Sequence, residues 1–192
     1  MAKKSTRNTR GRIVSAAWKL FYEQGYEDTT VEEIIELSGT SKGSFYHYFD
    51  GKDALLSTLS SLFDEKYEEL TGLLTPEMTA MEQLLFLNRE LFHMIEDSIS
   101  LDLLARLYST QLTTNGEKHL LDHNRIYYKL LRKIIAKGQA EGQLSSRSNV
   151  NEMVKLYALC ERALLYDWCL CAGEYALTEY SAKVLPGFLS SF

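Results

Sequence analysis

Side chains that can form hydrogen bonds are concentrated between residues 41 and 48, which read Ser-Lys-Gly-Ser-Phe-Tyr-His-Tyr. Hydroxyl, ammonium and imidazole groups bind phosphate oxygens and base edges, and the free N–H groups at a helix start favour phosphate. Gly43 would let the backbone come close to that phosphate. The composition predicts a short surface helix that enters a major groove of DNA. Its side chains with polar tips are Lys42, Ser44, Tyr46, His47 and Tyr48.

The aromatic residues of this segment allow a second interpretation, in which they form the core of a small helical domain. Phe45 and Phe49 lie four residues apart, so they share one face of a helix and can anchor it. Tyr46 and His47 are neighbours, and two neighbouring rings cannot both face one core. We therefore expect the two phenylalanines inside and Tyr46 and His47 on the surface.

The helix that precedes this segment should begin at Val31. Thr30 and Glu33 have the spacing of a capping box, in which the threonine hydroxyl accepts from the Glu33 N–H and the carboxylate accepts from the Thr30 N–H. Gly39 then supplies a residue that can turn with positive φ. The inward face would be Val31, Ile34, Ile35 and Leu37, and the outward face Glu32, Glu33 and Glu36.

The second helix would be capped by Thr40 or Ser41, since either side chain offers an oxygen to the first free N–H groups. A capped helix, a tight glycine turn and a second capped helix are the parts of a helix-turn-helix. The sequence thus predicts an all-α fold in two parts. Residues 1–52 would form a three-helix helix-turn-helix DNA-binding head, and residues 53–192 a helical bundle for effector binding and dimerisation.

The run from Thr29 to Lys52, preceded by RGRIVSAAWKLFYEQGYEDTT, resembles the DNA-binding domain of the tetracycline-repressor (TetR) family of bacterial transcription regulators. The similarity covers about a quarter of the chain. The remainder is similar only in being helical. The matching features are Ile13, Ala16, Ala17, Leu20, Phe21 and Gly25-Tyr26, then Thr29-Thr30, Ser41 to Tyr46, Tyr48-Phe49 and Lys52.

The resemblance implies roles for individual residues of the DNA-binding head. Phosphate contacts would come from Thr30, Thr40, Ser41, Lys42, Tyr46 and Lys52. Ser44, His47 and Tyr48 would lie near bases. The family's proline variant at the third position of the recognition helix is Gly43 here, which makes the contact of that residue the least transferable. The resemblance also implies a dimer that binds a palindromic operator, in most members as a repressor released by a small molecule.

Charge is distributed unevenly along the chain, whose formal net charge is −5. Residues 1–12 carry five basic and no acidic side chains, whereas residues 53–192 carry thirteen basic and nineteen acidic ones. We expect residues 1–8 to be a flexible basic arm, and Arg10 and Arg12 on the first turn of the first helix to face an anion. No apolar run approaches a membrane span and nothing marks export, so a cytoplasmic protein is predicted.

Apolar periodicity predicts the helices that follow the head. The first helix would run from a Thr9 cap to Gly25, and a long helix from Asp53 would join head to body. Thr75-Pro76 would open the next helix as cap and first position. Further helices would span residues from about Ser100, 117–141, Val150–Ala172 and Thr178–Leu185, with Thr113 to Gly116 as a loop. The resemblance implies that the last two long helices pair with their copies in a homodimer.

Aromatic residues in the body are candidates for an effector pocket suited to an apolar or planar molecule. Aromatic residues at helical spacing are more often plain core. A cavity among them would favour a sensor, and a tightly filled core would favour a DNA-binding regulator without an effector. The candidates are Phe86, Phe92, Tyr108, Tyr127, Tyr128, Tyr157 and Trp168.

Neither metal binding nor thiol chemistry is predicted. His119 and His123 lie four residues apart but lack the glutamate of the zinc-protease motif, so they read as surface histidines. Cys160, Cys169 and Cys171 do not form a Cys-x-x-Cys pair and read as buried thiols, with a redox or ligand sensor as the minor alternative.

No enzyme motif is present. Gly39 to Gly43 contains residue types of a phosphate-binding loop but not its spacing, and a nucleophile elbow is also missing. We therefore expect no catalysis, no cofactor and no metal, although an all-α enzyme with scattered site residues would leave little trace.

Overall fold

The computed structural model describes the backbone of residues 2–113 and 118–190, and the side chains from residue 9 onward within those ranges. The described residues form α-helices joined by short turns, so the all-α prediction is confirmed. The helices are α1 (Ala2–Gln24), α2 (Val31–Ser38), α3 (Lys42–Tyr48), α4 (Lys52–Leu56), α5 (Leu59–Thr71), α6 (Ala80–Ser98), α7 (Leu101–Thr113), α8 (Ile126–Ala140), α9 (Val150–Leu170) and α10 (Leu177–Ser190).

The chain forms two compact units. The head unit consists of Met1–Ser60 and Asp102–Asn115, and the body unit of Ser61–Leu101 and Gly116–Phe192. The two compact units are therefore not two consecutive stretches of the chain, because most of α7 belongs to the head unit. How function divides between residues 1–52 and 53–192 stays a prediction.

Side-chain caps determine where several helices begin. The capping box of Thr30 and Glu33 is present at α2, as predicted. A second capping box, between Thr79 and Glu82, starts α6. The start predicted at Thr75-Pro76 is therefore wrong, because the cap forms four residues later, where the Thr79 hydroxyl accepts from the Glu82 N–H.

Two other predicted starts and ends are also wrong. Helix α1 begins at Ala2 rather than at a Thr9 cap. The predicted flexible arm, residues 1–8, falls on residues whose side chains lie outside the described part of the chain. Helix α10 does not end near Leu185 but continues through Pro186 to Ser190.

Two long helices that periodicity predicted are interrupted. The helix expected from Asp53 is divided into α4 and α5, where the Ser57 and Thr58 hydroxyls donate to the carbonyls of Ala54 and Leu55. Such local bonds compete with the helical ladder. The helix expected over 117–141 contains a 3₁₀ turn at His119–Leu121, and α8 begins only at Ile126. The loop predicted up to Gly116 lies largely outside the described residues.

A polar cluster is buried inside the body unit. Tyr127 of α8 donates to Glu161 Oε2 over 2.6 Å, and Asn88 Nδ2 of α6 donates to Oε1 over 2.8 Å. The Ser181 hydroxyl of α10 donates to the side-chain oxygen Oδ1 of Asn88. Burial raises the pKa of Glu161, although both hydrogen bonds to it act in the opposite direction. The Glu161 carboxyl group thus joins α9 to α6 and α8, and Asn88 adds α10 to the cluster.

Candidate nucleic-acid interface

The turn between α2 and α3 is built as the sequence predicts. Gly39 has a φ of 58° and its N–H donates to Glu36, which ends α2 in the left-handed conformation that glycine favours. Ser41, not Thr40, caps α3, because its hydroxyl accepts from the Ser44 N–H over 3.1 Å. The two helices are thus joined by a turn whose geometry is set by local bonds.

Arg12 of α1 binds the backbone carbonyl groups of this turn. Its Nη2 donates to the Ser38 carbonyl and, over 2.9 Å, to the Gly39 carbonyl. A Cβ at position 39 would lie 2.7 Å from the same nitrogen. Arg12 therefore satisfies the carbonyls at the end of α2, rather than only facing an external anion as we expected. Arg10 lies with its guanidinium 5.4 Å from the centre of the Phe49 ring.

The aromatic residues of α3 divide between core and surface. Phe45 and Phe49 are buried, whereas Tyr46 is 47% exposed, and His47 is exposed as well. The expected orientation of these four side chains is confirmed. The predicted inward face of α2 was wrong at one residue. Leu37 is 46% exposed, and Ser38 is buried in its place. A helix of eight residues has a narrow inward face, and the end of α2 turns Ser38 toward it.

The other hydroxyl groups of the predicted interface make local bonds. Thr30 is bound to Glu33 in the capping box, and Thr40 shares a hydrogen bond with Ser38 over 2.7 Å. Ser41 and Ser44 hydroxyls lie 2.9 Å apart. Gly43, at the exposed start of α3, leaves open space where a side chain would be. Tyr48 packs edge-on against His47. Contacts of all these residues with DNA stay predictions.

The two lysines of the predicted interface differ in their surroundings. Lys42 Nζ lies 3.1 Å from Glu32 in an exposed ion pair, which a phosphate can replace at little cost in free energy. Lys52 Nζ instead donates to the carbonyls of Tyr26, Glu27 and Thr29 over 2.6, 3.2 and 2.9 Å. Its three N–H bonds are then all used. The geometry therefore favours a structural role for Lys52 over the phosphate contact that we predicted.

Replacement of each lysine should separate these roles. Lys42→Ala should lower the slope of log K against log salt by about one, because one phosphate contact is lost. Lys52→Met should leave that slope unchanged and reduce the free energy of unfolding of the head by about 2 kcal/mol, because charged hydrogen bonds to three carbonyls disappear. Filter binding at several salt concentrations and thermal unfolding measure the two quantities. A reduced slope for Lys52→Met would instead support the phosphate contact that we predicted for Lys52.

Tyr26 and Arg106 belong to this site but were not predicted as part of it. The Tyr26 hydroxyl donates to Asp53, and burial together with this bond raises the pKa of Tyr26. Arg106 of α7 contacts both the Tyr26 ring and Glu27. Arg106 and Glu27 are 79 positions apart in the chain, so no local pattern could have revealed this contact.

The aromatic effector candidates do not surround one cavity. Tyr108 belongs to the head unit, and Phe86 lines a cleft described below. The other five are buried, and the polar tips of four of them already have protein partners. Tyr127 donates to Glu161, Tyr128 to the Leu120 carbonyl, Tyr157 to the Leu84 carbonyl and Trp168 to the Tyr175 carbonyl, while Phe92 has no polar group.

An open cleft of about 590 Å³ lies in the body unit between α6, α10 and the turn before α6. Its wall is largely apolar, with Met78, Leu85 and Phe86, and Asn88 of the buried polar cluster also lines it. Its volume falls in the range of roughly 300–1,000 Å³ that small-molecule sites occupy. The cleft is therefore a candidate small-molecule site in the body unit.

The histidines and cysteines do not form a site. His119 lies in the 3₁₀ turn and His123 after it, so the predicted helical spacing of this pair is wrong. Burial raises the pKa of Cys160 to about 11 and also raises that of Cys169 and Cys171. A raised pKa reduces the thiolate fraction, which disfavours redox sensing.

The capped helices, the glycine turn and the exposed polar face of α3 define a protein of the helix-turn-helix class. Residues 13–59 match the family described as bacterial regulatory proteins, tetR family. The helix-turn-helix head of this chain is therefore similar to the DNA-binding part of that family.

Two similar proteins match this chain over different lengths. The HTH-type transcriptional regulator TtgR of Pseudomonas putida is 34% identical over 68 residues, which are 35% of this chain and 32% of TtgR. The chain thus spans about a third of that relative. The fatty acid metabolism regulator protein of Bacillus subtilis is 23% identical over 183 residues, 93% of each chain.

Solved structures share the whole fold. FadR of Thermus thermophilus, a TetR family transcriptional repressor in complex with lauroyl-CoA, is 26% identical. The similarity has a TM-score of 0.75 and covers 94% of this chain and 93% of that chain. Within residues 2–113 and 118–190, no helix is long and apolar enough to cross a membrane.

Proposed function

We propose that this protein is a homodimeric transcription regulator, and not an enzyme, that binds a palindromic operator in the cytoplasm and represses until a small molecule releases it. The observation that carries the proposal is the exposed polar face of α3, anchored by buried Phe45 and Phe49 on a helix-turn-helix. One such short helix reads few base pairs. Two copies in successive major grooves supply useful specificity.

An apolar stripe on α9 supports dimerisation. Leu159, Ala163, Tyr166 and Leu170 follow one another at helical spacing and are all exposed, opposite the buried face of the helix. On α10, Tyr180 is exposed in the same way. Contiguous exposed apolar side chains on a helix usually mark an interaction surface. A second copy of the chain, with the same stripe, is the partner that a two-fold dimer requires.

The DNA-binding part of the proposal is tested by selection from a random duplex library near physiological salt. We expect the protein to enrich an inverted repeat, with half-sites about one helical turn apart. Tyr46→Ala should lose this enrichment, because it removes an exposed contact of α3. Sequencing of the bound duplexes after several rounds measures the result.

Tyr22→Ala is the matched control, since Tyr22 is 76% exposed but lies on α1 rather than on α3. This variant should select the same repeat as the unchanged protein. Absence of any enriched repeat with folded protein, also after addition of cell extract, would contradict operator binding. Equal enrichment by Tyr46→Ala would remove Tyr46 from the interface.

For the effector we propose an acyl-CoA. This class is supported by the Thermus thermophilus FadR bound to lauroyl-CoA and the Bacillus subtilis FadR bound to stearoyl-CoA. An open cleft with an apolar wall is present in the body unit. Lauroyl-CoA should release the protein from its selected operator at micromolar concentration, whereas CoA alone and laurate should not. Fluorescence anisotropy of labelled operator follows the release.

A regulator without an effector is the second candidate. It is favoured by the buried aromatic residues of the body unit, whose polar tips bind protein carbonyls and carboxyls rather than an open cavity. Operator binding that none of the three compounds changes, together with unchanged thermal unfolding in their presence, would support this candidate.

A further inference from the structure

Two cationic side chains lie over the ring of Tyr26 in the head unit. The Lys52 ammonium is 4.3 Å and the Arg106 guanidinium 4.9 Å from the centre of the ring. Aromatic rings attract cations in this geometry. Lys52 comes from α4 and Arg106 from α7, so two helices that are distant in sequence both contact the residue that follows Gly25.

Arg106 makes two further contacts that fix its orientation. Its Nε lies 3.0 and 2.9 Å from the two carboxylate oxygens of Asp102, one helical turn earlier on α7. Its Nη2 donates to the carboxylate of Glu27. The guanidinium therefore connects α7 to two consecutive residues, Tyr26 and Glu27, and it is oriented from its own helix.

The segment that Arg106 contacts determines where α2 begins. The Thr29 N–H donates to the Tyr26 carbonyl over 3.3 Å, and the Thr29 hydroxyl donates to the Gly25 carbonyl over 2.7 Å. Thr30, the next residue, is the N-cap of α2. A change in the position of Tyr26 or Glu27 would therefore change the start of α2, and with it the helix-turn-helix that presents α3.

We propose that Arg106 is a positioning residue for DNA recognition, which sets the start of α2 through Tyr26 and Glu27. The inference rests on the proposed operator binding.

The test uses two substitutions that break the same contact but change the charge in opposite directions. Arg106→Gln removes a positive charge and Glu27→Gln a negative one. Loss of positioning should lower affinity for the selected operator in both variants, by roughly three- to tenfold, as expected for an exposed ion pair and a cation–π contact. The slope of log K against log salt should equal that of the unchanged protein, because no phosphate contact is lost.

Amide hydrogen exchange supplies a readout that DNA does not influence. Exchange at Thr29 and in the first turn of α2 should become faster in both variants, while exchange in the body unit stays the same. Lys137→Gln is the matched control: Lys137 also pairs with a glutamate, Glu141, but on α8 of the body unit. It should change neither operator affinity nor exchange in the head unit.

Each other outcome overturns the inference. Reduced affinity and a lower salt slope for Arg106→Gln, with increased affinity for Glu27→Gln, would show a direct charge effect. Unchanged affinity and exchange in Glu27→Gln would exclude positioning even if Arg106→Gln does not fold. Should the unchanged protein bind no DNA, the proposed function fails, and unchanged exchange at Thr29 then overturns the positioning role independently.

Discussion

A single glutamate in place of Leu159 should convert the protein from a dimer into a folded monomer that no longer binds its operator. Leu159 is 51% exposed in the middle of the apolar stripe of α9. A two-fold interface contains each residue twice, so one substitution removes two buried leucines and introduces two carboxylates. Loss of about 2 kcal/mol of burial for each leucine alone weakens dimerisation on the order of a thousandfold. Desolvation of the carboxylates adds to this effect.

Sedimentation equilibrium and operator binding measure this prediction. The matched control is Leu73→Glu, since Leu73 belongs to the same unit and is 55% exposed, but lies in the turn after α5. It should remain a dimer and bind operator normally. Equal dimerisation of the Leu159→Glu and Leu73→Glu proteins would show that the stripe on α9 is not the interface.

Loss of the Glu161 carboxyl group should destabilise the body unit more than any other single change considered. In Glu161→Ala, the Tyr127 hydroxyl and the Asn88 amide would each lose their buried acceptor, at about 1–3 kcal/mol apiece, and the missing side chain would leave a cavity. A decrease of roughly 3–5 kcal/mol in the free energy of unfolding is expected. Urea unfolding measures it.

The same carboxyl group should make stability depend on pH. Burial raises the pKa of Glu161 in the folded protein. The unfolded chain therefore releases this proton at lower pH than the folded protein does. As the pH rises from the pKa of the unfolded state to that of the folded state, the free energy of unfolding falls by up to about 1.4 kcal/mol per pH unit. The groups that face it, Tyr127, Asn88 and Tyr157, are neutral, and the nearest cation, Arg162, only partly offsets the effect.

Glu161→Gln should abolish this contribution while keeping the shape of the side chain. The free energy of unfolding of the unchanged protein should increase relative to that of Glu161→Gln as the pH decreases from 7 toward 5. Glu152→Gln, an exposed change on the same helix, should not show this trend. Parallel pH curves for the unchanged and Glu161→Gln proteins would mean that Glu161 ionises in the fold as it does in the unfolded chain.

The helix-turn-helix could be predicted from the sequence because its determinants are local. Thr30 and Glu33, Ser41 and Ser44, and Phe45 and Phe49 are three or four residues apart, and their interactions depend only on the geometry of one helix. Gly39 acts through its own φ. Where two local signals competed, prediction was less successful: Thr75-Pro76 resembles a helix start, but the capping box at Thr79 is the one that forms.

The roles of long side chains at the site could not be predicted, because their partners are distant in sequence. Lys52 and Arg12 each reach carbonyl groups that lie more than twenty positions away, and Arg106 reaches Glu27. A flexible cationic side chain near a reading head is compatible with phosphate or with carbonyl oxygens. Only the packing of the helices decides which acceptor lies within reach.

The body shows the same limit in its core. Apolar periodicity identified helices and the aromatic positions on them, but a buried aromatic ring and a ring that lines a pocket follow the same period. Tertiary structure placed Tyr127 and Tyr157 against other helices and left only Phe86 of that set at the cleft. Sequence alone therefore determined the helix-turn-helix and the exposed polar face of α3, through contacts within one turn of a helix. The occupancy of the core, the buried Glu161 and the contacts of Arg106 depended on which helices meet, and that is a property of the folded chain.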